Sequence, residues 1–214
     1  LTSNETINGV QLREFNKIEH DSLLIDMSSD IGSYSFEWDN LAYVYAGAQK
    51  NMGIPGVSIC IGDEKYLNSE DNSRYLNLGQ LVEKNSLLNT PPTFSIYVLK
   101  LVTDWMIEMG GINHFEEKSI RQSSRLYEQL ESYGDFVIIP VSDYSKSRSN
   151  IIFKFKNEDL EKKFLIEATE KGILGLNGHR SQGGIRISLY NSITDEMVDY
   201  LSEYIDRFFA DNGK

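Results

Sequence analysis

The chain of 214 residues carries 21 basic and 32 acidic side chains for a formal charge of −11, with 40% apolar and 11% aromatic residues. That composition suffices for a packed core in one large domain or two small ones. The charge excludes a general attraction to polyanions, so neither nucleic acid nor a membrane surface is an expected partner, and any anion must be captured locally.

No apolar stretch approaches the ~20 residues that span a bilayer, and no charged-then-apolar leader precedes a cleavage site, so a soluble, cytoplasmic protein is expected. The single cysteine, Cys60, forms no internal disulfide, which fits a reducing compartment. The chain begins Leu1-Thr2-Ser3-Asn4 without an initiator methionine, and its first residues read as the end of an element, so a fragment is expected.

No repeat, low-complexity tract or Pro/Gly-rich linker divides the chain, so its organisation is read from element order. In the first half, residues 22–25 form an apolar run ending at Asp26, and residues 41–45 form another. Residues 56–61 alternate at period two, with Cys60 expected as a buried thiol. These read as strands of one sheet. Over 93–109 the spacing of Phe94, Tyr97, Leu101, Trp105 and Met109 predicts a long helix, opened by Pro91-Pro92 and stopped by Gly110-Gly111.

The second half starts with a polar helix carrying Phe115, Ile120, Leu126 and Leu130 on one side. Strands follow at 136–141 and 151–155, a helix at 158–171 and a strand at 185–190. A last helix opens at Thr194 as N-cap with Asp195 and Glu196 in its first turn, and buries Met197, Val198, Leu201, Ile205, Phe208 and Phe209. The fold class is α/β over residues 1–107, followed by a small α+β domain over 108–214.

Five polar clusters stand out: SNETI at 3–7, Asp26, AQKN at 48–51, NTPPTF at 89–94 and GHRSQGGIR at 178–186. A lysine between strands is ordinarily a solvated turn residue, and an aspartate ending an apolar run is ordinarily a cap. The functional alternative sets Asp26 and Lys50 at the same end of a sheet, where α/β ligand sites lie, with the carboxylate facing a cationic ring nitrogen or a metal. NTPPTF starts a helix, whose exposed N–H groups with the Thr90 hydroxyl suit a phosphate. In GHRSQGGIR, His179, Arg180 and Arg186 surround flexible glycines in an acidic chain. These cations either salt-bridge to the acidic surface or grip carboxylate and phosphate. No histidine pair, cysteine pair, nucleophile elbow or P-loop is present.

Taken in order, AGAQKN, NTPPTF and GHRSQGGIRISLYN resemble the phosphoserine aminotransferase family, fold-type I class-V enzymes that use pyridoxal 5'-phosphate. The resemblance covers the whole chain and implies that residues 1–107 are the C-terminal part of a large cofactor-binding domain. By it, Lys50 forms the internal Schiff base and shuttles a proton between substrate Cα and cofactor C4′, and Asp26 pairs with the pyridine nitrogen. Thr6 matches a threonine on the ring-hydroxyl side and Gln49 a phosphate contact, while Asn89 and Thr90 match phosphate contacts given by the neighbouring subunit of a homodimer.

The resemblance further implies that Arg186 grips the substrate α-carboxylate and that His179 and Arg180 bind the second anion. It implies ping-pong transfer between L-glutamate and 3-phosphohydroxypyruvate, giving 2-oxoglutarate and O-phospho-L-serine in serine biosynthesis, with no metal. Family members are longer at the N-terminus, where a glycine-containing phosphate loop and a ring-stacking tryptophan lie, so an N-terminal portion is expected to be missing here. Two other readings stand beside this one: a related fold-type I lyase or desulfurase, which wants a mobile catalytic cysteine, and an inactive fragment or dimerisation module.

Overall fold

The computed structural model describes residues 1–20, 22–38, 41–67 and 77–212. Its strands are β1 (Asn4–Glu5), β2 (Val10–Gln11), β3 (Leu23–Asp26), β4 (Leu41–Gly47), β5 (Ser58–Gly62), β6 (Val137–Ile138), β7 (Asn150–Phe155) and β8 (Ile185–Ser188). Its helices are α1 (Glu64–Leu67), α2 (Leu78–Glu83), α3 (Thr93–Glu108), α4 (Gly111–Ser132), α5 (Glu158–Glu170) and α6 (Asp195–Asn212). Contacts gather these into two units, one of Leu1–Ser3 with Arg13–Ile112, the other of Asn4–Leu12 with Asn113–Lys214.

In the first unit β3 runs parallel to β4, and β4 antiparallel to β5. Ile25, Met27, Val44, Ala46 and Ala48 are fully buried, so the strand pair is anchored by its apolar alternation. Residues 1–3 extend this pairing: Asp26 N–H donates to Leu1 O at 2.8 Å, and Ser3 N–H donates to Asp26 O at 3.0 Å. The strand expected over 56–61 begins only at Ser58. Gly56 has φ +107°, and a Cβ there would approach Ser95 Oγ to 3.1 Å, so the chain is still turning where α3 packs against it.

Two expectations change in this unit. Cys60 is exposed rather than buried, as are its β5 neighbours Ser58, Ile61 and Gly62, so the alternation of this strand does not place the thiol in the core of the described residues. The apolar repeat of α3 does form a helix, yet Phe94, Tyr97, Leu101, Trp105 and Met109 are all exposed, and Met106 is the helix's buried residue.

In the second unit the antiparallel sheet β6-β7-β8 packs with α5 and α6 around one core. Phe164 sits at its centre, with ring centroids 4.9 Å from Tyr204, 5.0 Å from Phe208, 5.3 Å from Phe155 and 6.1 Å from Phe153. A polar ladder joins α4 to α6: Arg121 to Asp195, Arg125 to Asp199, and Gln129 to Ser202 and Asp206. Successive rungs lie three to four residues apart on both helices and advance together, which is the pattern of parallel neighbours.

Helix phase corrects two core assignments. Ile120 and Met197 are 40% and 55% exposed, while Gln122, Ser123, Ser202 and Tyr204 take buried places. The strand expected over 136–141 pairs only at Val137–Ile138, and that over 185–190 only at Ile185–Ser188. Among the described residues, no helix is long and apolar enough to cross a membrane.

Phe164 is 1% exposed and every face of its ring is occupied by another aromatic or by α6. Phe164→Ala is expected to destabilise the second unit by about 4 kcal/mol, through lost transfer energy and a residual cavity. Urea unfolding followed by circular dichroism checks this, and an unchanged midpoint contradicts it.

Candidate functional site

Asp26 ends β3, and Lys50 follows β4, its parallel neighbour, so both groups leave the sheet at strand C-terminal ends. This is the edge where open α/β sheets place ligands. Beyond Gly47 the chain makes a single helical turn, with Met52 N–H donating to Ala48 O at 3.0 Å. Ala48 N–H donates to Val57 O at 3.0 Å. Asn51 is buried and its Nδ2 donates to Ile31 O at 3.0 Å, which ties the lysine turn to the segment that follows Asp26.

The Asp26 carboxylate is held in place from two sides. Ser28 N–H donates to its Oδ1 at 2.9 Å, an Asx turn. The register sets Asp26 opposite Tyr45 on β4, whose hydroxyl donates to the carboxylate. Burial pushes the Asp26 carboxyl up, but the Ser28 and Tyr45 hydrogen bonds and the nearby Lys50 charge outweigh it and hold the group below the usual carboxylate value. The same bond pushes the Tyr45 phenol up, since it donates to an anion. Lys50 acts on Asp26 through space, and joins no ion pair among the described residues.

Gln49 is exposed on the lysine turn, and its amide lies against Gly47, where an added Cβ would come 2.4 Å from Gln49 Oε1. Asn89 and Thr90 are exposed ahead of α3. The structure brings Asp26, Gln49 and Lys50 together on one sheet edge. Asn89 and Thr90 share no hydrogen bond with them among the described residues.

The remaining candidates belong to the second unit. Thr6 lies in the turn of the β1–β2 hairpin, where the Glu5 carboxylate accepts from Ile7 N–H and Asn8 N–H at 2.9 and 2.8 Å. The hairpin is stitched down by Asn4 Nδ2 donating to Asn150 Oδ1 at 2.9 Å. At Gly9, a Cβ would stand 2.8 Å from Ile152 Cγ1, so only glycine fits the hairpin's approach to β7.

His179 and Arg180 stand on the loop that enters β8, and Arg186 on β8 itself. His179 Nδ1 is engaged within its own loop, 2.8 Å from Ser181 Oγ and 3.3 Å from Ser181 N. Neither arginine forms an ion pair among the described residues, and Arg186 Nε is buried without a hydrogen-bond partner. The surface salt bridges that would explain these cations structurally are therefore not made. An exposed Arg180 and a half-buried Arg186 with one unmatched nitrogen suit an anionic ligand. Among the described residues, no group of three His, Cys, Asp or Glu side chains is placed to hold a metal.

Ser28 and Tyr45 were not singled out from the sequence. Ser28 carries the Asp-x-Ser spacing of an Asx turn, a readable signal, whereas the role of Tyr45 depends on strand register.

The profile of the Aminotransferase class-V family matches residues 1–201. The phosphoserine aminotransferase of Geobacillus kaustophilus is 41% identical over 210 residues, which is 97% of this chain and 58% of that protein. The solved phosphoserine aminotransferase of Bacillus circulans subsp. alkalophilus superposes with a TM-score of 0.95 at 37% identity, over 99% of this chain and 59% of that one. The PLP-bound phosphoserine aminotransferase of Trichomonas vaginalis gives a TM-score of 0.89 at 30% identity, over 96% of this chain and 59% of that one. The chain thus spans 58% of the length of the first of these relatives.

Because the folded carboxyl of Asp26 is depressed, its hydrogen bonds stabilise the fold above the ordinary value of 3.8 and fade as pH falls through the depressed one. Tyr45→Phe is expected to raise the Asp26 midpoint, read by carboxyl-carbon NMR titration. The stability lost in that variant should be smaller at pH 2 than at pH 7. A midpoint unmoved by the substitution contradicts the bond.

Proposed function

The chain belongs to the class-V aminotransferase family, and from that premise we propose that it is the C-terminal part of a phosphoserine aminotransferase. The reaction is amino transfer between L-glutamate and 3-phosphohydroxypyruvate, giving 2-oxoglutarate and O-phospho-L-serine, as a cytoplasmic step of serine biosynthesis. The observation that carries the proposal is an ionised Asp26 set near an amine, Lys50, beyond the ends of two adjacent parallel strands.

These residues suit pyridoxal 5'-phosphate, the group named for the Trichomonas vaginalis relative. A carboxylate kept ionised by Ser28 and Tyr45 is the acceptor a protonated ring nitrogen needs, and a lysine that joins no ion pair among the described residues is available to react. When bound, the cofactor supplies a carbonyl carbon that takes up an amino group and a cationic ring that draws electrons from the substrate Cα.

In this reading Lys50 Nζ carries the proton to and from the substrate Cα, with Asp26 holding the ring proton in place. Gln49 donates to the cofactor phosphate and Thr6 to the ring-hydroxyl side. Asn89 and Thr90, exposed ahead of α3, serve the phosphate of a partner copy in a homodimer. Arg186 takes the α-carboxylate with its planar guanidinium fork. His179 and Arg180 take the second anion, carboxylate or phosphate, since cationic forks accept either. Glutamate and the oxo acid then use one pocket in turn. A desulfurase is disfavoured because Cys60 is held in β5 by pairing with β4, not on a mobile segment.

In the complete polypeptide, Lys50→Ala is expected to lower transfer from glutamate to 3-phosphohydroxypyruvate by at least about 100-fold, with the fold retained by circular dichroism. Arg186→Lys should raise the KM of both substrates by about tenfold, since it removes a planar fork and keeps the charge. Undiminished turnover in Lys50→Ala overturns the assignment.

A further inference from the structure

The loop bearing His179 and Arg180 is closed upon itself. Gln182 and Gly183 N–H groups donate to His179 O at 2.9 and 2.8 Å, and Gly178 N–H donates to Gly184 O at 2.8 Å. Gly178 and Gly183 are in such close contact that a Cβ on Gly178 would stand 2.0 Å from Gly183 O. Apart from buried Gly184, the residues from His179 onward in this loop are at least partly exposed, so the loop is not held by a core of its own.

Its attachment is a carboxylate. Glu161, in the first turns of α5, accepts from Gly184 N–H through Oε1 at 3.2 Å and from Phe155 N–H, at the end of β7, through Oε2 at 3.1 Å. The helix does not need this side chain as a cap, because Asn157 Oδ1 already accepts from Asp159 and Leu160 N–H at 2.8 and 3.1 Å. Gly184 has φ +74°, and a Cβ there would lie 2.9 Å from Phe153 O, so the loop's return leg is pressed onto β7 at the residue Glu161 holds.

The chemistry of this arrangement is selective. Both Glu161 oxygens go to main-chain donors, and Arg180 and Arg186 form no ion pair among the described residues. We infer that Glu161 is a positioning residue: it fixes the loop's return leg to β7, so that His179 and Arg180 keep their spacing from Arg186 while those cations stay open to substrate anions. The inference rests on the substrate reading above, and deepens it.

The test uses the complete polypeptide, with Glu161→Ala, Glu161→Gln and the exposed neighbour Glu158→Ala as control. Amide hydrogen exchange reads the anchor without any substrate, and steady-state kinetics reads the anion grip. Glu161→Ala is expected to speed exchange at Gly184 and Phe155 by about tenfold and to raise KM for both glutamate and 3-phosphohydroxypyruvate by about tenfold, with kcat within about threefold. Glu161→Gln, which keeps one acceptor, should fall between, and it carries the comparison if the alanine variant does not fold. Unchanged exchange overturns the anchor; faster exchange with unchanged KM overturns the positioning role. A wild-type protein that turns over neither substrate overturns the reading beneath it, a failure that exchange data leave distinguishable from the first two.

Discussion

The first unit depends on the parallel register between β3 and β4. With Asp26 opposite Tyr45, a carboxylate meets a phenol donor on the same face, and Met27 N–H reaches Tyr45 O at 2.8 Å immediately beyond. A shift of one residue would send Asp26 to the other face of the sheet and break its contact with Tyr45. The register is protected by Ile25, Met27, Val44 and Ala46, all fully buried, so the cost of slippage is carried by apolar packing rather than by the polar groups. The candidate site thus sits on strand ends whose positions are set by apolar residues.

In the second unit a glycine-rich loop is held through its backbone, and its arginines form no ion pair among the described residues. The aromatic core around Phe164 makes α5 a rigid platform, and Glu161 projects from that platform toward the loop and β7. Backbone donors are suitable partners here, because a carboxylate satisfied by N–H groups has little left to offer a guanidinium. The polar ladder between α4 and α6 is made largely of exposed pairs, and such pairs contribute little individually, so the core supplies most of the rigidity.

Much of this was legible from residue order. The strands around Asp26 and Lys50, the long helices and the arginine-rich loop all follow from period, caps and glycines. What sequence could not show was orientation. The α3 repeat predicts a helix, but whether Phe94 and Trp105 are covered depends on neighbours, and both are exposed. Alternation made Cys60 look buried, yet it is exposed, as is most of β5. Ile120 and Met197 were misplaced because a few tens of degrees of helix phase separate a core position from a surface one. The β1–β2 hairpin escaped because two-residue strands carry no periodicity, and its stability comes from Asn4, Gly9 and Asn150 contacts far apart in sequence.

The most informative signal was a charge without its expected partner. In a chain with 32 acidic and 21 basic residues, arginines have many carboxylates to choose from, and a solvated ion pair is the default arrangement. Arg180 and Arg186 forgo it among the described residues, and Glu161, which holds the loop between them, spends both its oxygens on backbone N–H groups. Leaving a guanidinium nitrogen buried and unmatched costs free energy that folding alone gives no reason to retain. An anion at this arginine would remove that penalty, which is what the proposed substrate role of Arg186 supplies. The same logic distinguishes Lys50 from an ordinary turn lysine: its nearby carboxylate is satisfied by Ser28 and Tyr45 and does not engage it directly.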